Sequence, residues 1–422
     1  MKKNRLVFAL GSLVIATLMG LSACSRAGSL SETGYPIGGV WNVPAEDGNA
    51  DWEAASLLAQ EQHAGFLLAN ETADFNVYTF GEGNQQDDVQ TAVRSMVEGQ
   101  AEGADEPVAA LLGATSNEAT TRTVALANFF NVPMIVPGAS GDNLLSDTNL
   151  WAFQLSASNS SYAEYLLNSV LNKRVVYQGY EEGFEPELRI AILYEQNTYG
   201  ETAAVSTATA AMEESYSIVL YDKFPAETPS PARLRALVNL ALDKDAQMVV
   251  MISSNPDVAQ ALTETFAELS APQLRPLLVG LASGFTSGQF MASELLDTTY
   301  VLRQQMDAAS CPAEIESLYA AQNYAAVNLL SAAVTEVDTT ASLEEKKLAI
   351  NTEDEKLVLY REALRDAIKE TDIELPCLGR TAFDNAGQNK FLEFEIVTAD
   401  QILTAQDFVA LVRSKIDLSS AE

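Results

Sequence analysis

Two short loops of small residues are the parts of this sequence best equipped for chemistry, and that chemistry is the holding of an anion. Gly113-Ala114-Thr115-Ser116-Asn117 follows an apolar run and opens a helical one, so Ser116 or Asn117 can cap the helix with Glu118 in its first turn. Free backbone N–H groups and the positive end of a helix dipole make such a loop a natural carboxylate site. Pro137-Gly138-Ala139-Ser140-Gly141 follows the next apolar run; its small residues let a ligand approach the backbone, and Ser140 adds a hydroxyl. Tyr199-Gly200-Glu201 closes a similar junction further along, where a tyrosine can face the first two loops across a cleft. All three also read as ordinary caps, tight turns or packing residues.

Catalytic signatures are missing. There is no Walker loop, no H-E-x-x-H and no C-x-x-C; Gly81-Glu82-Gly83 lacks the third glycine of a dinucleotide fingerprint. Neither Gly138-Ala139-Ser140-Gly141 nor Gly280-Leu281-Ala282-Ser283-Gly284 has the spacing of a nucleophile elbow. The single histidine, His63, excludes a multi-histidine metal site, and any histidine-dependent nucleophile would have to use it. His63 falls in an amphipathic stretch, Trp52 to Ala64, and reads as a surface or satisfied core residue. No catalytic residue, cofactor or metal is therefore expected.

The elements that must position these loops follow from periodicity. Tyr35 to Val43 and Phe75 to Phe80 read as strands, and Asp87 to Val97 as a helix. Val108 to Leu112 and Pro133 to Val136 are compact apolar runs, as expected of strands buried on both faces, with a helix from Glu118 to Phe130 between them. Strand–helix alternation predicts a parallel, doubly wound sheet, with both loops at the carboxyl ends of adjacent strands, where open α/β sheets bind ligands. The pattern then restarts. A helix from Ala163 to Leu171, with Tyr162, Tyr165, Leu166 and Val170 on one face, precedes strands at Arg189–Tyr194, Ser217–Tyr221, Met248–Ile252 and Pro276–Val279. Helices at Thr202–Ser215, Ala232–Leu242 and Asp257–Leu269 separate those strands. Lys173 to Glu187 reads as a surface insertion. Long helical stretches follow at Ile315–Val334 and Asp354–Glu370 around a charged segment, Ser342 to Asn351. Arg380–Phe383 and Phe391–Val397 then read as strands about an Asn385-Ala386-Gly387 turn.

With 422 residues, 47% of them hydrophobic, the chain is long enough for two globular lobes. Lys and Arg number 25 against 58 Asp and Glu, a formal charge of −33 that argues against nucleic acid as a partner.

The first residues read as an address. Lys2, Lys3 and Arg5 precede an uncharged apolar run, Leu6 to Met19, of 14 residues. This run is shorter than the ~20 residues a membrane span needs and suits a secretory signal. Leu21-Ser22-Ala23-Cys24 resembles the bacterial lipobox. The resemblance implies a signal peptide at 1–23, lipidation of Cys24 and a linker at 24–34. Loss of the three basic residues would take the net charge from −33 to about −36, so anchoring to the envelope membrane would rest on the acyl chains. The body is then expected outside the cytoplasm, where the remaining Cys311 and Cys377 are expected to pair.

Taken in order, these motifs resemble those of the branched-chain amino acid binding proteins. Leu111 to Asn117 and Asn131 to Ser140 look like two consecutive motifs of that family. Ile190 to Tyr194 followed by Tyr199-Gly200-Glu201 looks like its second-lobe motif. Tyr324 to Val327, and Phe383-Asp384 before Gly387, look like its C-terminal ones. The resemblance spans about Gly34 to Val412. It implies the type I periplasmic-binding fold: two α/β lobes joined by three crossovers, a ligand in the cleft, and delivery to the permease of an ATP-driven importer. The lobes would comprise residues 35–156 with 302–375, and 157–301 with 376–415. By matching positions, Ser116, Asn117, Gly138 and Ser140 would hold a ligand carboxylate, Tyr199 would contact it from the second lobe, and Ser254 or Asn255 would add a further contact. The implied ligand is an amino acid or other small carboxylate. An alternative keeps the fold without transport: an envelope lipoprotein acting as a ligand sensor or regulator of a protein partner. One position departs from the family. Where an acidic residue anchors the ligand ammonium, this chain has Ala282, leaving Glu195 or Asp257 as substitutes.

Overall fold

The computed structural model describes residues 37–41, 76–79, 86–100, 107–114, 117–146, 148–180, 187–226, 229–272, 274–315, 317–339, 352–399 and 401–420. The expectations placed on residues 1–34 (with Cys24), on the helix around His63, on Ser116 and on residues 342–351 lie outside the described residues.

Strands β1 (Ile37–Trp41), β2 (Asn76–Thr79), β3 (Ala110–Gly113), β4 (Met134–Val136) and β5 (Ala152–Gln154) form a parallel sheet in the order β2-β1-β3-β4-β5. Alternation of side chains along each strand splits the sheet's contacts between two cores. Ile37, Ala110, Leu112, Ile135 and Phe153 point to one face, and Val40, Leu111, Met134, Val136 and Ala152 to the other. Helices α1 (Gln86–Val97) and α2 (Asn117–Phe130) cover the second face. Because both faces are dry, β3 and β4 read as unbroken apolar runs instead of alternating ones.

The chain then builds the same arrangement again. Helix α3 (Asn159–Ala163), continued by a π-helical turn at Glu164–Val170, and α4 (Lys173–Val176) lead into β6 (Arg189–Gln196). There follow α5 (Thr198–Glu213), β7 (Ser217–Pro225), α6 (Pro231–Asp243), β8 (Met248–Ile252), α7 (Pro256–Leu269), β9 (Leu277–Leu281), the short α8 (Ser283–Thr286) and α9 (Gly288–Met291), and β10 (Thr299–Gln304). These strands are parallel in the order β10-β9-β8-β6-β7, the mirror listing of the first sheet's order. Again two cores result. Ile190, Ile192, Val250 and Val279 pack with α3 and α5, whereas Ala191, Leu193, Met251 and Leu278 pack with α6 and α7.

The last part of the chain serves both sheets. The long helices α10 (Leu318–Thr339) and α11 (Glu353–Glu370) close the open face of the first sheet through Tyr324, Leu329, Leu330, Tyr360 and Leu364. Arg361, buried, ties α11 to that lobe by donating to Val108 O (3.0 and 2.5 Å) and Val97 O (3.4 Å). A hairpin, β11 (Asp372–Leu375) and β12 (Gly379–Ala382), packs on the same core, and a disulfide joins Cys311 to Cys377 there. Strand β13 (Phe394–Val397) extends the second sheet antiparallel to β10, β14 (Ile402–Leu403) pairs antiparallel to β13, and α12 (Ala405–Ser420) covers the sheet with Phe408, Val412 and Ile416.

Three readings of the sequence shift. The lobe boundary drawn at 302 cuts β10, whose hydrogen bonds to β9 and β13 hold it in the second sheet. The boundary drawn at 376 parts β11 from its hairpin partner, while Cys377 and Phe383 pack in the first lobe's core. The proposed surface insertion is in part a docked segment: Val176 is buried, the Tyr177 hydroxyl accepts from Leu188 N at 3.0 Å, and Arg413 of α12 donates to Val176 O at 2.7 Å.

Candidate functional site

The carboxyl ends of the two sheets meet around a cavity of about 30 Å³. Gly138 and Ser140 after β4 and Tyr319 of α10 come to it from the first lobe; Tyr162 of α3, Tyr199 of α5 and Ala282 after β9 come from the second. A space of this size holds two or three waters at ~10–15 Å³ each. Tyrosines fill the rest of the cleft. Gly138 is needed for that filling, since a Cβ there would lie 2.8 Å from the Tyr319 ring.

Cross-lobe hydroxyl pairs close the cleft. Tyr199 of the second lobe faces Ser140 of the first, and Tyr319 of the first faces Ser283 at the start of α8, all four lining the same cavity. The Tyr162 hydroxyl accepts from Gln304 N at 3.3 Å. Burial raises the pKa of all three phenols, so each stays neutral and able to donate. Asp142, beyond the Ser140 loop, adds a clasp: it accepts from Ser160 N at 2.6 Å and from the Ser206 hydroxyl of α5 at 2.6 Å. Buried Gln304 binds the crossover itself, accepting from Ala157 N (3.1 Å) and from Gln322 (3.1 Å) and donating to Leu155 O (3.4 Å).

Asn117 is turned to another task than the one its position suggests. Its Oδ1 accepts from Ser140 N at 3.1 Å and from Gly141 N at 3.0 Å. Both backbone donors of the Ser140 loop are thus satisfied by the chain's own asparagine. Asn117 is buried and does not line the cavity. Ser140 keeps its place at the cavity through its side chain.

Ser254 is likewise drawn away. Both its N–H (2.8 Å) and its hydroxyl (2.9 Å) donate to Glu195 Oε2, and it is not among the cavity-lining residues. Asn255 caps α7 through Asp257 N (2.9 Å) and Val258 N. Asp257 is spent on the outside of α7, where it accepts from Gln289 at 3.0 Å. Neither of the two proposed substitutes for the family's acid lines the cavity; Glu195 is the nearer, behind Tyr199 and Tyr319. It is 0% exposed at the end of β6, and its Oε1 is buried without a hydrogen-bond partner. Its charge reaches both Tyr199 and Tyr319. Gly200 lets α5 start this close, as a Cβ there would fall 2.1 Å from Glu195 O. Ala282 lines the cavity at φ +84°, a backbone region that side chains rarely adopt.

Burial pushes the Glu195 carboxyl above its ordinary 4.5, against the lowering effect of the Ser254 bonds and of the Asn197 side chain. An acid whose pKa is higher folded than unfolded holds its proton more tightly in the native state. Its contribution to stability is therefore full below pH ~4 and is lost as pH rises above the unfolded value. Glu195→Gln should accordingly raise the melting temperature of the ligand-free protein at pH 7 to 8, and the gain should shrink towards pH 4. Thermal melts of both proteins across that range check this; an equal gain at every pH would contradict it.

The structure thus gathers Gly138, Ser140 and Tyr199 of the sequence-derived set and leaves Asn117 and Ser254 behind the cavity wall. The sequence reading did not single out Tyr319, Gln304, Gln322 or Asp142 as site residues. Tyr319 and Gln322 carry one legible signal: polar side chains three apart at the head of a long apolar helix.

The chain matches the family described as receptor family ligand binding region over residues 52–273. No curated protein gives a significant match. Among solved structures, an ABC transporter substrate-binding protein from Desulfitobacterium hafniense in complex with Leu is 13% identical, with a TM-score of 0.60 over 88% of this chain and 99% of that one. A branched-chain amino acid transporter substrate-binding protein from Streptococcus pneumoniae in complex with isoleucine is 15% identical, with a TM-score of 0.60 over 88% and 98%. A solute-binding protein of an ABC transporter from R. palustris in complex with benzoate is 13% identical, with a TM-score of 0.64 over 88% and 95%. At these identities the likeness establishes the fold: two α/β lobes with parallel sheets, as in type I periplasmic-binding proteins.

Proposed function

The chain belongs to the family of receptor ligand-binding regions, and from that premise we propose that it captures a small solute between its lobes and hands it to the permease of an ABC importer. The observation that carries this reading is the convergence of Ser140, Tyr199, Tyr319 and Ser283 from opposite lobes on one cavity. A surface of this kind is useful when something small is to be enclosed by domain closure. The hinge would run through the crossovers at Leu155–Ala157, Gln304 and the segment between β12 and β13. No catalytic step is proposed. An extracytoplasmic location, with an acyl anchor on Cys24, follows from the lipobox-like Leu21 to Cys24, and mass spectrometry of the mature N-terminus tests it.

Native mass spectrometry of the protein purified without denaturation tests the capture itself. A bound small molecule, released on acid denaturation, is the expected result. Repeated preparations with no released solute, joined to no response to added solutes, would favour the second reading: a sensor or regulator of a protein partner. The small volume of the cavity is the observation on that side.

A further inference from the structure

We propose that the solute is a small organic cation, a protonated or quaternary amine without a carboxylate of its own; this rests on the solute-binding reading above. The first ground is that the anion subsite is already occupied by the chain. Ser140 N and Gly141 N, the backbone donors of the Ser140 loop, are satisfied by Asn117 Oδ1. A carboxylate would have to expel that side chain and leave its amide without those partners, at a cost in unsatisfied buried groups. None of the described residues lining the cavity is basic.

The second ground is the charge that remains. Glu195 does not itself line the cavity: it is 0% exposed beside Tyr199, with Oε2 held by Ser254, the Asn197 side chain close by and no hydrogen bond to Oε1. A buried carboxylate with one empty oxygen is the natural counterpart of an ammonium, whose binding would neutralise it. Tyr199 and Tyr319 stand within its field, and Tyr162 completes an aromatic lining of the kind that favours amine cations. The cavity of about 30 Å³ has room for no more than a bare ammonium group, so a bulkier cation would be admitted only as the lobes open. The net charge of −33 steers cations, not anions, towards the protein.

Isothermal calorimetry with choline, methylammonium, leucine and benzoate tests this on the wild type, Glu195→Gln and Asp257→Asn. Choline or methylammonium should bind the wild type, bind Glu195→Gln roughly a hundredfold more weakly, and bind Asp257→Asn unchanged. Leucine or benzoate binding that ignores Glu195→Gln would overturn the cation assignment while leaving solute capture in place. If no probe binds, the charge of any solute released in native mass spectrometry decides: a cation upholds the assignment, and an anion or neutral molecule overturns it. No binding and no released solute would end both readings together.

Discussion

Loss of the Cys311–Cys377 bridge is expected to lower stability by up to about 4 kcal/mol, the chain-entropy figure for a loop of this size. The two cysteines are separated by 66 positions, and the enclosed chain holds α10, α11 and β11. Those elements cover one face of the first sheet, so without the link the unfolded chain gains freedom across that covering. Backbone bonds run beside the bridge, from Asp307 N to Cys377 O (2.8 Å) and from Cys377 N to the Ser310 hydroxyl (3.1 Å). These keep the native geometry available to the reduced protein, so the double variant Cys311→Ser/Cys377→Ser should fold and unfold at lower urea. An unchanged midpoint would mean that the two ends are held together in the unfolded state without the bridge.

Asn117→Ala should cost about 2–6 kcal/mol, because the Ser140 and Gly141 N–H groups lose their acceptor at once and each orphaned donor costs ~1–3 kcal/mol. The packing is close, with the site of a Cβ on Gly141 only 3.2 Å from Asn117 Cγ, so water has little room to replace the amide. Asn117→Asp retains an acceptor in the same position and should recover most of the loss. Chemical unfolding of the three proteins separates the cases. Equal stability of Ala and wild type would show that the Ser140 loop does not depend on Asn117 and would reopen the loop as an anion subsite.

Much of the fold is legible in the sequence because both sheets are buried on both faces. Runs such as Met248–Ile252 have no partner but another buried strand, and the structure gives β8 those bounds. Short or mixed elements are not legible in that way. β5 is three residues long, β10 carries Arg303 and Gln304 at its end, and α12 follows an edge hairpin. Their assignment comes from the strands and helices they meet, which no local pattern records. The site divides along the same line. Gly138, Ser140 and Tyr199 are marked by position alone, since strand ends in this topology converge. What the side chains do there depends on neighbours distant in sequence. Asn117 looks like a helix cap facing a ligand until Ser140 and Gly141, 23 and 24 positions on, are seen to take its oxygen. Glu195 is one acid among 58, and only burial beside Tyr199 and Tyr319 sets it apart.

The central claim is that a small solute is enclosed between the lobes at Ser140 and Tyr199. A thermal-shift comparison of wild type and Tyr199→Ala against amino acids, amines, quaternary ammonium compounds and aromatic acids tests it most directly. A ligand that binds only the folded state stabilises it by mass action, about 2.7 kcal/mol at a hundred times its Kd. At least one solute should therefore raise the wild-type melting temperature in a saturable way, and the rise should be abolished or strongly reduced in Tyr199→Ala. A flat response of the wild type across the panel, or an equal rise in both proteins, would contradict the account.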